Sequence, residues 1–280
     1  MGAEKTESVI LSVIPYRETS CITRLFTRSL GLVHGIAKGA RKGGKSATPL
    51  DRGFLLDALV YYRPNRELHT LGGLHVVNFF PGIRSDLTKS AVRDIALELY
   101  LKSITQSEPH PELFDLIVSF FVDMEESATP DMLFPLLWRF IHKYCLMTGF
   151  GINTKYCKVC GNDIRHTIID TAGDTAADCG YLLEFDSGAL ICGKCASSNA
   201  GGRINGGIGV DRRIDAAVIG FIDGADFGSQ LCCRLFDKLD KNEYLRVTEL
   251  LLLYCRRHLD IRAQFNSFEF VRSMYYSRST

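Results

Sequence analysis

The sequence lacks several features, and each absence narrows the kinds of protein it can be. No apolar run reaches the roughly 18 residues of a membrane-spanning helix, so we expect no transmembrane segment. The first residues are polar and mixed in charge, unlike a secretory signal peptide. Without such a signal, ten cysteines indicate a reducing compartment. The sequence therefore predicts a soluble cytoplasmic protein.

The chain also has almost no net charge, because 33 Lys and Arg oppose 32 Asp and Glu in 280 residues. This balance hides an asymmetry. Residues 1–80 carry eleven basic against six acidic side chains, and the remainder carries 22 against 26. A basic first segment favours an anionic partner. The length suits two or three domains, and the apolar content of 46% supports a sizeable core.

Two C-x-x-C motifs are the strongest chemical signal in the sequence. Cys157 and Cys160 form the first, Cys192 and Cys195 the second, and 31 residues separate them. Two residues between thiols let both sulfurs face one ion, and two such turns supply the four ligands of a tetrahedral structural zinc. We expect a zinc ribbon, with a hairpin over residues 181–191. The alternatives are disulfides, buried free thiols, or Cys179 as a substitute ligand.

Short strands in the first 80 residues predict a small barrel. Alternating, β-branched segments occur at 9–15, 21–27, 31–38, 54–62, 67–71 and 74–80, with turn residues between them. An OB-fold is a common barrel of this size that binds single-stranded nucleic acid.

A cationic loop follows the third of these strands. Residues 38–46 carry Lys38, Arg41, Lys42 and Lys45, three glycines and no acid. Glycines let the backbone approach a phosphate chain closely. Further basic residues on neighbouring strands and turns extend this charge and predict a basic groove. They are Arg52, Arg24, Arg66, Arg17 and Arg63. Phe54, Tyr61 and Tyr62 are candidate stacking faces for bases, and one of the two tyrosines is expected to face the core.

The same loop matches a phosphate-loop pattern, which raises a nucleotide hydrolase as an alternative. Gly39, Gly44, Lys45 and Ser46 fit G-x-x-x-x-G-K-S. That motif requires a helix that starts at the lysine, and Pro49 disfavours one. A third possibility is a protein-interaction scaffold.

The rest of the chain predicts helices around the zinc ribbon. Helical spacing places one helix after Asp86, one after Pro111 and one that ends near Gly149. We expect His142 at the surface, Asn242 as a helix cap, and a last helix over 265–276. The predicted fold class is multidomain α+β. Its parts are an OB-fold barrel (1–80), a helical domain (81–150 and 211–280) and an embedded zinc ribbon (151–210).

This order of parts resembles the RecO family of bacterial recombination mediators. The segment from Leu30 to Lys42, Leu25-Phe26-Thr27 before it, and the two cysteine motifs carry the resemblance, which covers nearly the whole chain. It implies a non-enzymatic, nucleoid-associated protein that binds single- and double-stranded DNA and anneals complementary strands. It also implies RecR and the single-stranded-DNA-binding protein as partners in loading RecA. The family's DNA contacts carry over to Lys38, Arg41, Lys42 and Lys45.

Overall fold

The structure is a computed structural model that describes residues 2–42, 50–63, 66–105, 108–127, 132–164, 166, 180–198, 211–223 and 239–277. The chain divides into two compact units. The first comprises Met1–Pro130 and Phe265–Val271, and the second comprises Asp131–Gln264 and Arg272–Thr280. Among the described helices, none has the length and apolar character needed to cross a membrane.

The first unit contains a closed five-stranded barrel. Its strands are β1 (Gly2–Tyr16), β2 (Ser20–Thr27), β3 (Gly31–Ala37), β4 (Leu55–Tyr62) and β5 (Leu68–Asn78). The strand order is β1-β2-β3-β5-β4, and β4 returns to β1. Only the β3–β5 pair is parallel. The predicted barrel is thus confirmed as an OB-fold-like barrel.

The barrel closes because β1 is long enough to pair on both sides. Its first half pairs with β4 and its second half with β2, and a register shift between Ile10 and Ser12 bends it. Alternate residues of β2 and β3 face inward, as the sequence pattern predicts. The interior is filled by small and medium apolar side chains, chiefly Ile10, Leu25, Val33, Leu56, Ala58, Val60 and Leu71.

The two segments noted at 67–71 and 74–80 belong to one continuous strand, β5, so the barrel has five strands. The pairing of β5 with β4 is irregular opposite Asp57 to Leu59. This irregularity lets both Leu71 and Leu74 pack on the core, although they are three residues apart. Strict alternation is lost at that point, and the sequence therefore looks interrupted.

Three helices follow the barrel in the first unit: α1 (Pro81–Ser85), α2 (Leu87–Ser103) and α3 (Pro111–Glu126). The side chain of Asp86 accepts a hydrogen bond from the backbone N–H of Lys89, so the predicted cap of α2 is confirmed. The edge of the Tyr100 ring packs on Phe26 with ring centres 5.1 Å apart, which attaches α2 to β2. This helical segment therefore packs against the barrel through α2.

The second unit combines helices with a small sheet. It contains α4 (Leu133–Met147), β6 (Asn153–Cys157), β7 (Tyr181–Glu184), β8 (Ala189–Cys192), α5 (Gly193–Ser198), β9 (Arg213–Ile214), α6 (Ala216–Asp223) and α7 (Lys241–His258). The sheet order is β6-β8-β7-β9. Helix α8 (Asn266–Ser277) begins in the first unit and ends in the second.

The β7–β8 hairpin docks on the end of α7. The Phe185 ring meets Tyr254 edge-on with centres 5.7 Å apart. The Nε2 atom of His258 lies 2.5 Å from the carbonyl oxygen of Phe185. Arg257 forms an ion pair with Asp186 in the hairpin turn. The small sheet is therefore anchored to the helices of its own unit.

Two sequence predictions in this unit are wrong. His142 is buried, with 4% of its surface exposed, because both α6 and α7 pack against α4. Burial lowers its pKa to about 4, although the charge of Asp223 opposes this shift. Helix α7 is capped by the carboxylate of Asp240, which accepts from the N–H of Glu243, and Asn242 lies inside the helix.

Candidate nucleic-acid interface and candidate metal centre

The four predicted metal ligands converge in the second unit. Cys157 ends β6, Cys160 follows in a turn, Cys192 ends β8 and Cys195 lies in α5. Their sulfur atoms all lie within 4.8 Å of one another. Strand β8 pairs with β6 and brings the two C-x-x-C turns together. The cluster can therefore hold a metal ion.

Backbone hydrogen bonds shape the first turn around the Cys157 sulfur. Gly161 adopts a φ of +70°, which favours glycine, and its N–H donates to the carbonyl oxygen of Cys157 over 2.9 Å. The N–H of Cys192 donates to the Cys157 sulfur over 3.3 Å. Burial raises the pKa of Cys157, but backbone N–H groups outweigh it and lower that pKa to about 6.

The donor set fits a thiolate-bound zinc. The sulfurs of Cys160 and Cys192 lie 3.8 Å apart. A tetrahedron with zinc–sulfur bonds of about 2.3 Å has sulfur–sulfur edges of about 3.8 Å. Hydrogen bonding to Cys192 raises the pKa of Cys195 to about 12, so four thiolates require a cation between them. The described cysteines are free thiols, which disfavours the disulfide alternative, and Cys179 lies outside the described residues.

The cationic loop begins beside the turn between β1 and β2. The backbone N–H of Arg41 donates to the carbonyl oxygen of Thr19 over 2.9 Å. Its Nη1 atom donates to the carbonyl oxygen of Arg17 over 3.5 Å. This brings together four cations that we call the first basic group: Arg17, Lys38, Arg41 and Lys42. Lys45, Gly44 and Ser46 lie outside the described residues.

A second cluster of cations lies around the connection between β4 and β5. Arg24 on β2 stands opposite His34 on β3, and His34 stands opposite Leu68 at the start of β5. The N–H of Arg63 donates to Nδ1 of His69 over 3.3 Å. We call Arg24, Arg63 and Arg66 the second basic group. The sequence did not single out His34, although the alternation of β3 could have placed it beside Arg24 on the outer face.

Burial and the charge of Arg24 both act on His34. Burial lowers the pKa of His34, the neighbouring Arg24 lowers it further, and Glu67 opposes them. Burial likewise lowers the pKa of His69, and His34 adds to that effect. Both imidazoles are therefore mainly neutral at pH 7, and the positive charge of this cluster comes from the arginines.

The predicted DNA-binding cations differ in how they are paired. Among the described residues, no carboxylate forms an ion pair with Lys38, Arg41, Lys42, Arg24 or Arg66. Arg52, by contrast, lies 3.1 Å from a carboxylate oxygen of Asp94 on α2. A cation that forms no ion pair with a carboxylate is free to bind an external anion, so these residues are better candidates for phosphate contacts than Arg52.

The three candidate stacking residues differ in how far they are buried. Phe54 is buried in the barrel, and Tyr62 packs on the core and stacks on His69 with ring centres 4.6 Å apart. Tyr61 points outward and is 38% exposed. The expectation that one tyrosine faces the core and the other faces outward agrees with this arrangement.

The strands on either side of the cationic loop do not form a phosphate-loop unit. Strand β3 pairs with β2 and β5, and β4 pairs antiparallel with β1 and β5. The described residues 50–54 contain no helix. A phosphate loop joins a strand to a helix inside a parallel βαβ unit, so this barrel does not favour the hydrolase alternative.

Comparison with known proteins covers both units. The family model described as Recombination protein O N terminal matches residues 1–80, and the one described as Recombination protein O C terminal matches residues 84–205. The chain is 30% identical over 200 residues to the DNA repair protein RecO of Syntrophus aciditrophicus. The aligned region covers 71% of this chain and 72% of that protein.

Other relatives give the same result. The DNA repair protein RecO of Exiguobacterium sibiricum is 31% identical over 191 residues, 68% of this chain and 69% of its own. That of Geobacter metallireducens is 28% identical over 202 residues, 71% of this chain and 75% of its own.

Proposed function

The chain belongs to the RecO family, and from that membership we propose that it is a mediator of DNA repair and homologous recombination. In this proposal the barrel binds single- and double-stranded DNA, and the protein anneals complementary strands. With RecR and the single-stranded-DNA-binding protein as partners, it helps to load RecA on gapped DNA. It acts in the cytoplasm at the nucleoid and performs no catalysis of its own.

The observation that carries this proposal is the set of unpaired cations on the barrel. Arg24, Lys38, Arg41, Lys42 and Arg66 have no ion-pair partner among the described residues, whereas the nearby Lys5, Arg28 and Arg84 are paired with carboxylates. Unpaired cations attract the phosphate backbone and release its counterions on binding. Because the attraction acts on phosphates, it serves single strands and duplexes of any sequence.

Charge neutralisation also explains how such a surface promotes annealing. Two complementary strands repel each other through their phosphates. Cations held on both sides of one barrel face reduce that repulsion when two strands approach the protein together. No bond is made or broken in this process, so no catalytic residue is required.

We propose that the cysteine cluster holds a structural zinc. Four thiolates complete a tetrahedral site and leave no open position for water, which is the arrangement of structural rather than catalytic zinc. The zinc supplies a cross-link between β6, β8 and α5. Cys157, Cys160, Cys192 and Cys195 would provide that link within the second unit.

The test is a salt-titrated binding assay with fluorescent single-stranded and duplex oligonucleotides. Substitution of Lys38, Arg41 and Lys42 by alanine should weaken binding to all sequences. It should also reduce the log–log salt slope on single strands by about 2, since each phosphate contact contributes roughly 0.7. A matched control replaces the exposed Lys143, Lys155 and Lys241 of the second unit by alanine, which removes the same charge away from the barrel.

The outcomes separate the competing functions. Equal losses in the triple variant and the charge-matched control would contradict a role for the loop. A wild-type protein that binds RecR but no DNA would favour the scaffold alternative. Binding of a nucleoside triphosphate with magnesium, abolished by Lys45→Ala, would revive the hydrolase alternative.

A further inference from the structure

The outer face of the barrel carries a row of mainly apolar side chains in register across its strands. Ile14 stands opposite Ile22, Ile22 opposite Ile36, Ile36 opposite Thr70, and Thr70 opposite Tyr61. We call these five residues the outer row. Ile14 is 51% exposed, Tyr61 is 38% exposed, and the other three are partly exposed. Solvent-facing positions of a barrel are ordinarily polar, so this row needs an explanation.

The row crosses the sheet between the two basic groups. On β2, Ile22 lies between the β1–β2 turn and Arg24. On β3, Ile36 lies between His34 and the loop that begins at Lys38. Cations therefore stand on both sides of an apolar track that runs across the strands. A nucleic-acid strand presents apolar base faces beside one line of phosphates, so a strand whose bases lie on this track has cations within reach on whichever side its backbone runs.

Tyr61 is seated for stacking by the glycine beside it. A Cβ atom built on Gly72 would lie 2.7 Å from Cε2 of the Tyr61 ring, so the ring rests directly against the backbone of β5. Gly73 next to it has room, because its nearest neighbour is the Cβ atom of Leu59 at 3.8 Å. The absence of a side chain on Gly72 leaves the space that this part of the ring occupies, and Tyr61 still remains 38% exposed.

We infer that the outer row, ending on Tyr61, is a base-binding track that gives this protein a preference for single-stranded over duplex DNA. This inference rests on the proposed function and adds to it. The basic groups contact phosphates, which both forms of DNA offer. Only an unpaired strand can turn its bases onto Tyr61 and the isoleucines, because duplex bases are already stacked and paired.

The experiment compares the binding of a thymidine oligonucleotide and a hairpin duplex by wild-type protein and four variants. Tyr61→Ala should weaken single-strand binding by about five- to 150-fold, the range that base–aromatic stacking supports, and change duplex binding less than about twofold. Tyr61→Phe should retain single-strand binding. The salt slope should stay the same in both, since no phosphate contact is lost.

Two glycine variants test the seat of the ring without touching the ring itself. Gly72→Ala places a methyl group against Tyr61, and it should reproduce the selective loss of single-strand binding. Gly73→Ala adds the same methyl group one residue along in open space and should bind like wild type. Circular dichroism and thermal melting of each variant establish that the barrel is folded.

An abasic oligonucleotide gives the final control, because it keeps the phosphates and lacks the bases. Wild type should bind it more weakly than the thymidine strand, and the difference should be smaller for Tyr61→Ala, which keeps only the isoleucines as base contacts. Equal losses on single strand and duplex, or no loss in Tyr61→Ala, would overturn the base-binding track while leaving DNA binding intact. A folded wild-type protein that binds neither DNA would instead overturn the proposed function, and the track with it.

Discussion

The indole nitrogen of Trp138 donates a hydrogen bond to the hydroxyl oxygen of Thr248 over 2.9 Å, and both residues are fully buried. This bond joins α4 to α7 in the second unit. The hydroxyl of Thr248 in turn donates to the carbonyl oxygen of Tyr244 over 2.8 Å, within α7. The indole N–H of the chain's only tryptophan thus finds its hydrogen-bond acceptor on a side chain 110 positions away.

Replacement of Thr248 by valine should destabilise the protein by about 1–3 kcal/mol, because it preserves the shape and leaves the buried indole N–H unsatisfied. Thr248→Ser keeps the hydroxyl and should lose less. Urea unfolding followed by Trp138 fluorescence measures both. If Thr248→Val is as stable as wild type, or loses less stability than Thr248→Ser, the hydrogen bond does not stabilise this unit.

Metal removal should unfold the small sheet. Zinc bound by four thiolates contributes on the order of 10 kcal/mol, more than the sheet can lose and stay folded. We expect one zinc ion per chain by elemental analysis, and a lower melting temperature in a strong chelator. Cys157→Ser or Cys192→Ser should abolish zinc binding. Cys145→Ala and Cys179→Ser should keep it, and loss of zinc in Cys179→Ser would reassign the ligand set.

Arg24 and Arg52 should contribute unequally to DNA binding. Arg24 has no carboxylate partner among the described residues, whereas Arg52 is paired with Asp94 at 3.1 Å. We expect Arg24→Ala to weaken single-strand binding more than Arg52→Ala, because a paired guanidinium must give up its partner before it binds phosphate. Anisotropy titrations at one salt concentration make the comparison. A greater loss in Arg52→Ala would show that the ion pair opens on binding.

His142 should make the second unit sensitive to acid. Its pKa is lowered from 6.5 to about 4 by burial, so the folded state holds fewer protons than the unfolded state between those values. Stability is then fully present above pH 6.5 and falls as the pH drops towards 4, by up to about 1.4 kcal/mol per pH unit.

The check is urea unfolding at pH 7 and pH 5 for wild type, His142→Leu and His75→Ala. The leucine variant should show a smaller loss between the two pH values than wild type. His75 is exposed, and its removal should leave the pH dependence unchanged. Parallel losses in wild type and His142→Leu would mean that His142 is not the group that titrates.

The elements that the sequence predicts well are those whose pattern is local. The β-branched alternation of β1 to β4 and the carboxylate of Asp86 before α2 each depend on neighbouring residues, and the structure confirms them. The cysteine cluster is also predictable from local patterns. Two C-x-x-C motifs constrain each other's position whatever chain lies between them.

The failures come from contacts between distant parts of the chain. His142 looks like a surface residue because nothing in α4 reveals that α6 and α7 both cover it. The continuity of β5 past Gly72 likewise depends on its irregular pairing with β4, which the sequence of β5 alone does not reveal. The pairing of Arg52 with Asp94, and the lack of a carboxylate partner for Arg24 within the described part of the chain, also depend on the folded chain.

The parallel contact of β3 with β5 has a consequence for the protein during its synthesis. Ile36 meets Thr70 only when this contact closes the barrel, whereas Arg41 already lies beside the β1–β2 turn. Non-local pairing carries a larger entropic cost than the local β1–β2–β3 meander. A ribosome-bound fragment that ends before residue 70 therefore already carries the cations of the first basic group. It does not yet have a complete outer row.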